Sequence, residues 1–104
     1  MTGLLEIIAE DLRRRRAAGE DFFLIDVREP EEYEAGHIPG ALLFPLHLLE
    51  ERIKGIRHDR ALVVYCQHGV RSKVASLTLL RLGFTNVAML HGGYAAWQEA
   101  MADV

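Results

Sequence analysis

The sequence predicts an α/β protein: a parallel sheet with helices packed on both of its faces. Three observations carry that prediction. Short apolar runs rich in Val, Ile and Leu alternate along the chain with longer segments of helical periodicity. Glycine or proline punctuates most of the junctions between them. The run Leu62-Val63-Val64-Tyr65 is apolar throughout, as a strand covered on both faces must be. Parallel neighbours need a crossover, so strands that alternate with helices imply a sheet of this kind.

The elements follow in order. The first twenty residues are ambiguous, because Leu4, Leu5, Ile7, Ile8 and Leu12 fit a helical stripe while Leu4 to Ile8 fits an edge strand equally well. Phe22 to Val27 reads as a strand. Pro30-Glu31-Glu32-Tyr33 opens a helical turn, with proline early and acids in the first turn, and Gly36 ends it. Ile38-Pro39-Gly40 is a turn and Ala41 to Phe44 a short strand. Pro45 then opens a helix carrying Leu46, Leu49 and Ile53 at helical spacing, stopped by Gly55. Leu62 to Tyr65 is a strand and Ser72 to Leu82 a helix, with Gly83 as its stop. Asn86 to Leu90 supplies another strand, Gly92-Gly93 a sharp turn, and Tyr94 to Met101 a last helix with Trp97 on its apolar side.

At 104 residues, half of them apolar, the chain fits one domain (1–104) able to bury a core without disulfides. The formal charge of −3 argues against a general nucleic-acid binder and favours small molecules or proteins as partners. A single cysteine makes neither an internal disulfide nor a multi-thiolate metal site, and a free thiol suits a reducing compartment, which points to the cytoplasm. No signal-peptide pattern opens the chain and no apolar run reaches membrane-spanning length, so no membrane association is expected. The run Arg13 to Arg16 is read as a solvated helix face, since four consecutive residues point around most of a helix and Glu6, Glu10 and Asp11 lie close enough to offset them.

The chemistry concentrates at the only cysteine. Cys66 ends the strand Leu62 to Tyr65 and opens the segment Gln67-His68-Gly69-Val70-Arg71-Ser72 before a helix. Unpaired N–H groups and the helix dipole at such a junction stabilise a thiolate and can hold an anionic substrate. Nucleophilic sulfur chemistry is therefore expected. Gly69 lets the loop turn tightly.

Four segments resemble the rhodanese family of sulfurtransferases. They are Leu24-Ile25-Asp26-Val27-Arg28-Glu29 with Glu32-Tyr33, then Gly36-His37-Ile38-Pro39-Gly40-Ala41, then Cys66 to Ser72, and finally Gly83-Phe84 with Val87 and Gly92-Gly93-Tyr94-Ala95-Ala96-Trp97. They stand in the family's order and at its spacing across nearly the whole chain, a far more specific signal than any one of them. The resemblance implies a rhodanese-like fold, a five-stranded parallel sheet flanked by helices on both faces. A strand at Leu4 to Ile8 and a helix through about Ala18 would complete that sheet. It further implies sulfur transfer from thiosulfate or a persulfide through a Cys66 persulfide to cyanide, a thiol or a protein, with no cofactor and no metal.

Within that implication Cys66 is the catalytic residue, and Gln67, His68, Gly69, Val70, Arg71 and Ser72 form the substrate-binding cradle through their backbone N–H groups. Arg71 is the side chain suited to grip an oxyanion or steady the thiolate, though its place in a first helical turn also suits an ion pair with a neighbouring carboxylate. Lys73 adds positive field, and Ser72 satisfies backbone groups at the helix start. His68 tunes donor choice or faces solvent. His37, His47, His58 and His91 are scattered without ligand-like spacing. Asp26 and Arg28 are expected to tie strand ends to adjacent loops, with Glu32 as a further partner. Tyr33 and Trp97 read as core packing.

Two other classes compete. Cysteine phosphatases and arsenate reductases also use a cysteine and an arginine in an anion loop, but Cys66 and Arg71 enclose four residues where the phosphatase pattern encloses five, giving a smaller cradle. A non-catalytic interaction domain has no need of the cysteine. An inert buried thiol fits poorly with polar, glycine-rich neighbours.

Overall fold

The computed structural model describes residues 4–102. Five strands, all parallel, form one sheet in the order β1-β5-β4-β2-β3. β1 is Leu5–Ile7, β2 Phe23–Asp26, β3 Leu42–Leu43, β4 Leu62–Tyr65 and β5 Val87–Leu90. The helices are α1 Ala9–Ala17, α2 Pro30–Ala35, α3 Leu49–Arg52, α4 Val70–Arg81 and α5 Gly93–Ala102. The chain start thus resolves as an edge strand followed by a helix.

The alternation of side chains along β4 explains the layers. Leu62, Val64 and Cys66 face one apolar cluster with Ile25, Leu49 of α3, and Ala75 and Leu79 of α4. Val63 and Tyr65 face the other, which holds Leu12 of α1 and takes Tyr33, Tyr94 and Trp97 at its margin. Both faces are covered, so β4 and β5 are buried at every residue. Tyr33 and Trp97 are partly buried there, and the Tyr33 hydroxyl donates to the Ala41 carbonyl at 2.7 Å.

Two expected boundaries move for physical reasons. The helix expected from Pro45 is a 3-10 turn, Leu46–Leu48, followed by the single turn of α3. Phe44 N–H donates to Asp26 O and Leu46 N–H to Val27 O, holding the chain alongside β2 as far as Leu46, where the 3-10 turn begins. α4 begins at Val70 rather than Ser72, because Gly69 at φ +126° makes the turn and accepts from Lys73 N–H.

The four arginines of α1 are each engaged. Arg13 pairs with Glu10 and Arg14 with Asp11, while Arg15 lies 4.0 Å from Glu20. Arg16 donates to the Pro39 carbonyl and lies over Trp97. Glu6 takes no part, since its carboxylate lies 3.4 Å from His91. Among the described residues no helix is long and apolar enough to cross a membrane.

A buried ion pair joins the sheet to the loops above it. Arg28 and Asp26 are 2% and 0% exposed, with Arg28 Nη2 2.7 Å from Asp26 Oδ2. Asp26 Oδ1 also accepts the Arg28 N–H at 2.9 Å. The guanidinium donates further to Gly36 O at 2.8 Å and Gln67 Oε1 at 3.1 Å. Glu32 is not its partner, contrary to expectation, since that carboxylate turns to Arg71. Removing one member strands a buried charge, so Asp26→Ala should cost about 3–5 kcal/mol in urea unfolding. The Asp26→Ala/Arg28→Met double variant should lose less than the sum of the two single losses.

Candidate active site

Cys66 follows β4 directly, beyond the carboxyl edge of the sheet where open α/β folds bind ligands. Continuing the alternation of β4 turns its side chain toward the α4 layer, where it is 1% exposed. The surroundings are more core-like than the polar loop sequence suggests. The sulfur has an apolar floor, and its polar contacts come from backbone N–H groups and the Ser72 hydroxyl. Sγ accepts Gly69 N–H at 3.1 Å and Ser72 N–H at 3.3 Å.

The Ser72 hydroxyl lies 3.4 Å from Sγ and 3.2 Å from the Gly69 carbonyl. It has one proton to donate. With a thiol, the sulfur donates to the hydroxyl and the hydroxyl donates to Gly69 O. With a thiolate, the hydroxyl turns its proton to sulfur, adding a donor to the charged form. Burial pushes the Cys66 pKa up, but the Ser72 hydroxyl and the N–H groups of Ser72, Gly69 and His68 outweigh it, and the net shift is downward. Ser72 is fully buried, which ties the start of α4 to the state of the sulfur.

The remaining loop residues divide by direction. Gln67 turns its side-chain amide to Arg28, so it supports the loop from below. His68 is exposed and Val70 is 79% exposed. The N–H groups of Val70 and Arg71, in the first turn of α4, have no helical acceptor and no other partner among the described residues. Arg71 donates to both oxygens of Glu32, at 2.6 and 2.9 Å. Lys73 instead lines a cleft with Leu4, Glu6 and Met89 beside β1.

The second half of the cradle comes from α5, which sequence reasoning left as a plain helix. Tyr94 N–H donates to Cys66 O at 2.8 Å and Ala95 N–H to Gln67 O at 3.1 Å, so this helix N-terminus clamps the loop's first two carbonyls. Gly93 permits the approach. At φ +63°, a Cβ there would lie 2.4 Å from Cys66 O and 2.6 Å from Gln67 O. The Gly92-Gly93 pair was the available signal, legible as a turn but silent about what it approaches.

A cleft of ≈ 240 Å³ opens beside the loop, lined by Arg28, Glu32, Gly36, Gln67, Tyr94 and Gln98 among others. A larger hollow of ≈ 330 Å³, between α3 and Phe84, includes no residue of the cysteine loop. The other histidines are dispersed: His37 stacks on Tyr33 and His58 packs at Phe84, with His47 near Glu29 and His91 near Glu6. Among the described residues no group of three or more His, Cys, Asp or Glu side chains is placed to hold a metal.

Two substitutions test the cradle. Ser72→Ala removes a donor to the charged form, so the pH midpoint of Cys66 alkylation by iodoacetamide should move up toward that of a free thiol, about 8.5. Gly93→Ala should push the loop off α5, slowing alkylation at neutral pH and costing about 1–3 kcal/mol in urea unfolding. An unchanged alkylation rate in Gly93→Ala would remove α5 from the cradle.

The chain matches the family model described as "Rhodanese-like domain" over residues 8–100. It is 44% identical over 92 residues to a protein of Allochromatium vinosum named "Sulfurtransferase", covering 88% of this chain and 86% of that one. It is 32% identical over 84 residues to the thiosulfate sulfurtransferase GlpE of Pseudoalteromonas translucida, covering 81% of this chain and 80% of that one. The structure of the human single-domain sulfurtransferase TSTD1 superposes with a TM-score of 0.85 at 32% identity, covering 93% of this chain and 97% of that one. With the order of its strands, the cysteine loop and these likenesses in agreement, the chain belongs to the rhodanese-like domain family.

Proposed function

We propose that the chain, acting as one rhodanese domain, moves sulfane sulfur from thiosulfate or a persulfide donor to a thiophilic acceptor through a Cys66 persulfide. The observation that carries this reading is the Cys66 sulfur held by Gly69 and Ser72 N–H groups at the start of α4. This arrangement favours the thiolate without a general base, so no histidine is assigned to proton transfer.

In the first half-reaction the thiolate attacks the outer sulfur of thiosulfate. The new bond is Cys66 S–S, the donor's S–S bond breaks, and sulfite departs with the electron pair, leaving an ionised persulfide. In the second, an acceptor nucleophile such as cyanide attacks the outer persulfide sulfur. That bond passes to the acceptor, giving thiocyanate, and the Cys66 thiolate is regenerated. Charge balances in both steps without cofactor or metal. The free N–H groups of Val70 and Arg71 are suited to the donor's oxyanion, since they carry partial positive charge without a side chain's flexibility. Gln67 and the Asp26–Arg28 pair hold the loop in place from beneath.

The phosphatase reading loses on loop size, because four residues between Cys66 and Arg71 leave fewer inward N–H groups to surround a tetrahedral phosphate. A free thiolate of this kind suits the reducing conditions of the cytoplasm.

Incubation with thiosulfate should add one sulfur atom to the intact mass, and Cys66→Ser should abolish the gain. Cyanide should then return the mass to its starting value with one equivalent of thiocyanate. No adduct and no turnover with thiosulfate, a thiosulfonate or an organic persulfide would sink the enzyme reading and advance a binding role. Hydrolysis of an aryl phosphate dependent on Cys66 would advance the phosphatase.

A further inference from the structure

The sulfur-transfer reading leaves one strong ion pair at the site unexplained. Glu32, in the first turn of α2, and Arg71, in the first turn of α4, meet in a two-pronged contact of 2.6 and 2.9 Å, each about one-third exposed. Tyr33 of α2 packs with one apolar cluster and Ala75 and Leu79 of α4 with the other, so this pair bridges the two layers. The contact spans the lip of the cysteine loop, and Glu32 also lines the adjoining ≈ 240 Å³ cleft.

We propose that Glu32 is a specificity-determining residue, which neutralises Arg71 at the lip and so weakens the pull of the site on doubly charged small donors such as thiosulfate relative to less charged donors such as thiosulfonates or organic persulfides. The inference rests on the sulfur-transfer reading and deepens it.

Three observations support it. Arg71 is the only permanently charged side chain between Cys66 and Ser72. The nearby Arg28 offers no free charge, since it is buried against Asp26. Whether an approaching anion meets a net positive side chain at the loop therefore turns on Arg71 alone. Second, Glu32 is fixed in place. Its Oε1 also accepts the Glu29 N–H at 2.9 Å, so the carboxylate is part of how α2 begins and cannot swing aside without fraying that turn. Third, Arg71 directly precedes Ser72, whose N–H and hydroxyl contact the Cys66 sulfur, so Glu32 sets the charge on a chain neighbour of the reacting atom.

The pair persists across neutral pH. Glu32 is held at about 2, chiefly by Arg71, while burial opposes the shift. Its pKa is depressed from 4.5, so the ionised pair is fully formed above that value and lost only as pH falls through about 2. The screening is a constant of the site at physiological pH and not a pH switch.

Glu32→Gln supplies the test, because glutamine at this position keeps an acceptor for the Glu29 N–H while removing the charge. With cyanide as acceptor at low salt, the ratio of kcat/KM for thiosulfate to that for an aryl thiosulfonate, a dianion against a monoanion, should rise about threefold to tenfold. The gain should lie mainly in the thiosulfate KM and shrink as salt is raised. Glu32→Asp, which keeps the charge, should stay near the wild-type ratio. In an Arg71→Gln background, Glu32→Gln should leave the ratio unchanged. A ratio that is unmoved or lowered by Glu32→Gln, or that moves equally without Arg71, overturns the proposal.

A second readout does not need sulfur transfer. Glu32→Gln should raise the rate of Cys66 alkylation by anionic iodoacetate relative to neutral iodoacetamide. If wild type takes sulfur from no donor, the sulfur-transfer reading fails. The alkylation ratio then still decides whether Glu32 screens the loop from anions, and an unchanged ratio overturns that too.

Discussion

The structure above the sheet depends on the buried Arg28 guanidinium. Placing a permanent charge out of water is costly unless every donor finds a partner, and the partners it finds dictate where three segments sit. Asp26 fixes it at the end of β2, Gly36 brings in the end of α2, and Gln67 brings in the cysteine loop. The rings of Tyr65 and Tyr94 lie 5.6 and 4.6 Å from the guanidinium carbon, adding favourable quadrupole contacts from β4 and α5. One side chain therefore links β2, α2, the loop, β4 and α5. Burial lowers the ease of carrying this charge, but Asp26 more than compensates, and the guanidinium is the more firmly protonated for it.

On that foundation the loop is gripped from two sides by opposite ends of the same polar logic. α5 presents N–H groups to the carbonyls of Cys66 and Gln67. The turn at Gly69 and the start of α4 present N–H groups to the sulfur itself. An apolar floor beneath Sγ raises the cost of a charge there, so the donors must do more than they would in water, and they interact more strongly for the same reason. The balance of these donors against burial favours the charged form of the sulfur relative to a free thiol.

Much of this was legible from the chain. The order of strands and helices followed from apolar runs and glycine stops, and the place of Cys66 between a strand end and a helix start was readable from its neighbours. The ambiguous Leu4 to Ile8 segment was not decidable by periodicity, since five apolar-rich residues fit either period. Its pairing with Ala88, Met89 and Leu90 settles it as a strand. The segment after Pro45 is helical, as its spacing indicates, but its first turn is 3-10, and Phe44 N–H and Leu46 N–H donate to Asp26 O and Val27 O, so the chain runs beside β2 up to that turn.

The sequence by itself determined which groups were available: a lone thiol, an arginine five positions after it, a turn that only glycine makes easily at Gly69, and apolar strands that must be covered on both faces. These are local properties, set by residue type and by distances of a few positions. Tertiary structure alone decided the partnerships. It gave Glu32 to Arg71 rather than to Arg28, turned Gln67 toward the buried guanidinium, and set Gly93 against the carbonyl of Cys66. Each joins residues more than twenty-five positions apart, and such pairings depend on how the sheet stacks its crossovers, a matter of packing geometry that no local pattern in the chain encodes.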